Sequence, residues 1–272
     1  MPTYLDKDTT VGLLRRQYAA LASLAAGLSD SHWQTPTCLP GWTVHDVYGH
    51  IVGTETMMTG QAPPDVDVSH LGHMQNPIAE ANEVWVESLR PLSAAELRAR
   101  FDQVIAERLD ALDAMTQADF DAPSWTPAGK DETYGRFMRI RHYDCYMHEQ
   151  DVRAAVGEAP RLDVADLASS LDEVATGLGY IVGRRAGLPD GSRVRIELQG
   201  PAARTFLVAV DGRAAVVDRL DGPVTVGLSL PVPLFLRLTG GRDDGPGSTD
   251  PVELTGDQAL GAQLVANLAF TI

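Results

Sequence analysis

The sequence predicts an α+β chain, a four-helix bundle followed by a small α+β domain, and three observations carry that prediction. Across the first half, apolar residues recur at three- and four-residue intervals, as in Val11, Leu14, Tyr18, Leu21, Leu24 and Leu28, the period of an amphipathic helix. Beyond Pro160 the texture changes, and Val194, Ile196 and Leu198 alternate with polar residues, as in a half-buried strand. Asp211-Gly212 joins two such runs, a strong hairpin signal. The expected boundary places a helical bundle over 1–160 and the α+β part over 161–272.

The bundle helices are read in order. The run opening at Thr9 carries the stripe just given. A second follows Pro40-Gly41-Trp42, where Thr43 is an N-cap candidate and Asp46 adds acidity to the first turn. The stretches 76–90 and 93–115 continue the helical period, and Ser93 with Glu96 forms a capping box for the latter. A long helix is expected from about Tyr134 to Val156, stopped by Gly157. Long helices of this kind pack as a bundle, with four principal members the natural count. After Pro160, one more helix leads to strands at 192–200 and 204–210, the 211–213 turn, a returning strand and a β-like 222–230. A Gly- and Asp-rich loop, a short strand at 251–256 and a final helix close the chain.

Composition sets limits on partners. The 272 residues carry 37 acidic against 22 basic side chains, a net charge of −15. No basic block exists to neutralise phosphates, so no nucleic acid is expected as a partner, and acidity argues equally against an anionic membrane. No run approaches the roughly 20 apolar residues of a membrane span, and the N-terminus lacks a signal-peptide pattern. Two isolated cysteines, Cys38 and Cys145, suit a reducing cytoplasm better than a disulfide scaffold. Monomer and homodimer are both compatible with this surface.

The chemistry-bearing stretch is Tyr143–Arg153. Asp144 and His148 stand four residues apart and therefore project from one helix face. Phe137, Ile140, Arg141, Val152 and Ala155 share that stripe, so the pair is expected to turn inward. A buried carboxylate requires a partner; a carboxylate and an imidazole at this spacing suit a divalent ion, and equally a hydrogen-bonded core pair or an exposed ion pair. A third candidate is His50, two turns into its helix between Val47, Ile51 and Val52. Taken alone it reads as a satisfied core histidine; two inward polar clusters on separate helices can also satisfy each other.

The segment 39–53, "LPGWTVHDVYGHIVG", resembles the first-histidine segment of mycothiol-dependent maleylpyruvate isomerase-like proteins, within the DinB-like bundle superfamily. "YDCYMHEQDVRAAVG" resembles that family's second metal segment, and the ending "VELTGDQALGAQLVANLAFTI" its sterol-carrier-type C-terminal domain. The resemblance implies a divalent metal, usually zinc, on His50, Asp144 and His148 with a position left open. Asp144 departs from the family's more frequent Glu. It also implies mycothiol as thiol cosubstrate, with isomerisation or S-transfer on a small electrophile. Arg242, in the family's Gly-Arg position, is the candidate cation for an acidic substrate, with a solvated loop arginine as the alternative. Asp151 and Asp46 each read either as partners of a ligand imidazole or as ion-pair residues. His70 and His73 read as a mobile surface pair, Cys145 as a packed thiol, Trp42 as an anchor of its turn, and Met57-Met58 as core filler. Two rival functions remain: a hydrolase in which a metal-bound water attacks, and a binding module whose α+β part holds an apolar ligand.

Overall fold

A computed structural model of the chain describes residues 2–72, 74, 76–242 and 252–271. It divides into two compact units, Met1–Pro160 and Arg161–Thr271.

In the first unit, α1 (Lys7–Gly27) is followed by the short α2 (Asp30–Trp33), α3 (Val44–Met58), α4 (Pro77–Leu89), α5 (Ala94–Ala114) and the short α6 (Gln117–Phe120). A hairpin, β1 (Pro123–Thr126) with β2 (Gly129–Thr133), then leads into α7 (Tyr134–Ala155). The bundle consists of α1, α3, α5 and α7: α1 packs on α5 and α7, and α3 does the same, while α4 lies against α3. Leu14, Leu21, Ile51, Leu97, Leu112 and Val152 have no exposed surface and form its core. Boundaries follow capping chemistry. Thr43 and Asp46 make a reciprocal capping box at α3, and Ser93 with Glu96 makes another at α5, each satisfying two otherwise unpaired backbone donors. Beyond α7, Gly157 turns the chain at φ +75°, which favours glycine.

The hairpin ahead of α7 is an element that strand periodicity misses. Its strands have four and five residues, a proline and a register shift between Ser124 and Thr126. Met57 corrects a second expectation. It is 39% exposed, whereas Met58 lies against the bundle core, its sulfur 3.9 Å from Arg108 Nη2.

The α3–α4 contact is close because Gly53 has no side chain. A Cβ built there would stand 2.3 Å from Trp85 Cβ, and Trp85 is buried. Gly53→Ala is therefore expected to destabilise the first unit by about 1–3 kcal/mol through overpacking, more than alanine's gain of up to ~1 kcal/mol in helix propensity. Urea unfolding of the variant beside the wild type measures this; an unchanged midpoint would refute it.

The second unit opens with α8 (Val164–Tyr180), which runs into a π-helical turn at Ile181–Arg185. Its sheet has the order β5-β4-β3-β6-β7, built from β3 (Arg193–Gln199), β4 (Arg204–Asp211), β5 (Arg213–Val216), β6 (Val226–Pro231) and β7 (Glu253–Gly256). Only the β3/β6 pair is parallel. Helix α9 (Val232–Thr239) follows β6, and α10 (Gln258–Val265) follows β7. Along β3 burial alternates strictly, with Val194, Ile196 and Leu198 inward. Helix α9 was not expected: its eight residues, apolar except for Arg237 and Thr239, are too few for periodicity to distinguish a helix from a buried strand. The Gly- and Asp-rich loop expectation falls largely on 243–250, outside the described residues. Among the described residues, no helix is long and apolar enough to cross a membrane.

Candidate metal centre

Helices α3 and α7 bring His50, Asp144 and His148 together. One donor atom from each lies within 4.8 Å of the other two. His50 Nε2 is 3.2 Å from Asp144 Oδ2, and His148 Nε2 is 3.5 Å from Asp144 Oδ1. Two ligands each held ~2.0–2.1 Å from a tetrahedral ion stand ~3.3 Å apart; both contacts fall near that spacing, each on a different Asp144 oxygen, and the three donors lie within 4.8 Å of one another. With protons on the nitrogens, the same distances serve as hydrogen bonds and ion pairs. The donor set, two imidazoles and one carboxylate, suits zinc and other divalent transition metals.

The surroundings prepare the ligands. Both histidines are buried, at 4% and 6% exposure, whereas the Asp144 side chain retains 31%; the cluster is thus open on the carboxylate side. Asp151, almost fully buried, sits with Oδ2 3.1 Å from His148 Nδ1. With a proton on Nδ1 donated to that carboxylate, the His148 lone pair lies on Nε2, facing Asp144. Cys38 Sγ donates to the other Asp151 oxygen at 3.4 Å. Trp42 forms a wall: its ring centroid is 5.2 Å from that of His50 and 5.9 Å from that of His148, and its Nε1 donates to Glu83 Oε1 at 2.5 Å.

Electrostatics separates the two imidazoles. Burial pushes His50 below the ordinary histidine value, against the pull of Asp144. Burial also acts against charge on His148, but Asp144 and Asp151 outweigh it and raise that imidazole. Burial would raise the Asp144 carboxyl; His148, Arg141 and His50 together hold it well below the usual carboxylate range. A carboxylate that stays ionised and a histidine with a fixed tautomer are what metal ligation requires.

Asp151→Ala should lower zinc affinity about 10–100-fold, the usual effect of removing the partner that orients a ligand imidazole. Competition against a chromophoric zinc chelator measures it, and an unchanged affinity would count against this role for Asp151.

Other candidates lie elsewhere. Arg242 belongs to the second unit, where its Nη1 donates to Gly240 O at 2.5 Å and its backbone N–H to Arg237 O at 2.8 Å. Asp46 is an ion-pair residue: its carboxylate caps α3 through Thr43 and accepts from Arg90 Nε at 2.9 Å. His70 is exposed, and His73 lies outside the described residues. Cys145 is fully buried. Sequence reasoning placed Trp42 as a turn anchor and missed its stacking beside both imidazoles, because the turn's path back over the helices is not encoded in local periodicity.

The profile of the Mycothiol maleylpyruvate isomerase N-terminal domain family matches residues 14–153, just over half of the chain. Two solved structures share the fold: the mycothiol-dependent maleylpyruvate isomerase, at TM-score 0.59 and 17% identity over 92% of this chain and 93% of that one, and a histidine-to-alanine mutant of such an isomerase, at TM-score 0.57 and 16% identity over the same shares. No curated protein sequence matches the chain. With the profile spanning the helices that carry all three clustered donors, the chain belongs to the mycothiol maleylpyruvate isomerase family.

Proposed function

We propose that the chain is a divalent-metal-dependent enzyme that uses a low-molecular-weight thiol, mycothiol, for isomerisation or S-transfer on a small electrophilic substrate, with zinc as its metal. The observation that carries the proposal is the cluster of His50, Asp144 and His148, buried on its histidine side and open at the carboxylate. The family and the fold support it. A metal on these three side chains would supply Lewis acidity, lowering the pKa of a thiol that enters the open position.

The chain's own residues do the rest. Asp151 holds the proton on His148 Nδ1, Trp42 covers the two imidazoles, and the Asp144 carboxylate stays ionised. In isomerisation, the thiolate adds to an activated cis double bond and forms a C–S bond. The π electron pair moves into the conjugated carbonyl, the new single bond rotates, and the pair returns as the C–S bond breaks. S-transfer stops after addition and protonation of the carbon. A cation near the resulting enolate would stabilise it, and Arg242 is the proposed one, supported by its Gly-Arg position in the C-terminal domain. A cytoplasmic address, where thiols stay reduced, and a monomeric or homodimeric state complete the proposal.

The test is an assay of the zinc-loaded chain on maleylpyruvate with and without mycothiol. Turnover that requires the thiol and disappears in Arg242→Ala is the expected result. Turnover of an ester or amide without thiol would replace the proposal with a metal-water hydrolase.

A further inference from the structure

Arg141 lies on α7 one turn before Asp144, and nothing in the proposed chemistry uses it. It is buried, at 4% exposure. Its Nη1 donates to Asp144 Oδ2 at 2.7 Å, while its Nε and Nη2 both reach Glu55 Oε1, at 3.0 and 2.9 Å. Glu55, on α3 and without exposed surface, is held from its other oxygen by Arg108 Nε at 3.0 Å, and Arg108 Nη2 donates to Tyr134 OH at 3.0 Å. The guanidinium thus holds Glu55 on one edge and Asp144 on another, with Nη2 also 3.5 Å from Cys145 Sγ, and is almost fully buried. Such a planar fork, gripped on one edge, directs its remaining N–H along one line.

That line ends on one oxygen of the candidate ligand. Oδ2 of Asp144 accepts from Arg141 Nη1 at 2.7 Å and lies 3.2 Å from His50 Nε2, whereas Oδ1 faces His148 Nε2 at 3.5 Å. A carboxylate free to rotate can offer a cation both oxygens equally; one whose Oδ2 carries a short charge-assisted bond is held in one rotation and keeps Oδ1 as its freer donor. From these contacts we infer that Arg141, clamped by Glu55, is a positioning residue that makes Asp144 a one-oxygen donor and so keeps the centre at low coordination, with room for an incoming ligand. The inference rests on the proposed metal function. It concerns how the site is shaped rather than whether it binds.

Two helices make this arrangement. Helix α3 supplies His50 to the cluster and Glu55 to the clamp, while α7 supplies Asp144 and His148 to the cluster and Arg141 to the clamp. Displacing either helix would therefore disturb ligand and clamp together. Arginine suits this position better than lysine because one ammonium cannot hold Glu55 on one edge and Asp144 on another in fixed geometry.

The test uses cobalt(II) as the bound probe, because its visible absorption is intense at four-coordinate sites and weak at five- or six-coordinate ones. The wild-type chain, Arg141→Met and Arg141→Lys are each titrated with cobalt(II), with circular dichroism to verify folding. The expected result is an intense visible band in the wild type that collapses in Arg141→Met and is weakened in Arg141→Lys, while cobalt is still bound. If Arg141→Met fails to fold, Arg141→Lys and Glu55→Gln, which loosens the clamp from its far end, give the same readout. Folded variants with the wild-type spectrum would show that Arg141 only ties the helices together and would overturn the inference. A wild type that binds no cobalt would overturn the inference and the metal function alike.

Discussion

The wild-type chain is expected to carry close to one divalent ion per chain, and His148→Ala to lose it. His148 meets the cluster through Nε2, 3.5 Å from Asp144 Oδ1, and is held from behind by Asp151. Removing it deletes a donor and leaves Asp144 with His50 alone, two ligands that cannot close a site on a divalent ion. Removing only an orienting partner costs about 10–100-fold in affinity, so loss of the donor itself should exceed ~100-fold. Elemental analysis of protein purified without added metal, then after incubation with zinc, reads the result directly. His50→Ala should behave alike, although His50 arrives from a different helix; that agreement separates loss of a shared ion from local damage to α7. Equal metal in the wild type and both variants would sink the assignment, as would no metal in any of them after reconstitution.

The faces that make the cluster were legible in the sequence because helical periodicity is local; joining His50 to the pair as one ligand set came from the family resemblance. Asp144 and His148 share a face by spacing alone, and the apolar residues flanking His50 turned it inward. The same logic located α7 and its stop at Gly157, as well as the alternation in β3. What periodicity cannot express is which partners a buried charge finds. Arg141 was visible on the Asp144 face, but its hold on Glu55 depends on how α3 and α7 pack, a contact between residues 86 positions apart. Asp46 shows the reverse failure. It sits one turn before His50, yet capping and Arg90 use up its carboxylate. Local hydrogen bonding at a helix start competes with any longer-range role for such a residue. Arg242 marks a third limit, since a loop arginine's function depends on what surrounds it, and the pattern of its own segment carries no such information.

Arg108→Met is expected to be the most destabilising single substitution in the bundle outside its apolar core. Arg108 is 2% exposed and Glu55 has no exposed surface. Burial would raise the Glu55 carboxyl, but Arg141 and Arg108 outweigh it and hold it below the ordinary glutamate value. Methionine fills much of the volume beside Met58 and Met138, whose sulfurs lie 3.9 and 3.6 Å from Arg108 Nη2. The cost is therefore mainly electrostatic: a buried carboxylate keeps one cation where it had two, and Tyr134 loses its donor. Breaking a buried pair from one side costs about 3–5 kcal/mol, which for a unit of this size corresponds to about 10 °C in melting temperature. The pH dependence follows from the sign of the shift. A lowered folded-state pKa contributes stability that is present above the unfolded value, about 4.3 for glutamate, and is lost as pH falls through the folded one. The deficit of Arg108→Met should thus be greatest near neutrality and should narrow below about pH 4. Adding Glu55→Gln to Arg108→Met removes the stranded charge while Arg141 keeps Asp144, so the double variant should recover part of the loss, as coupled neighbours do. Thermal unfolding across pH would contradict this if the single variant melted with the wild type, or if its deficit were constant with pH. In either case the ion pairs around Glu55 would contribute little to stability, and their place next to Asp144 would have to be explained by the shape of the metal site alone.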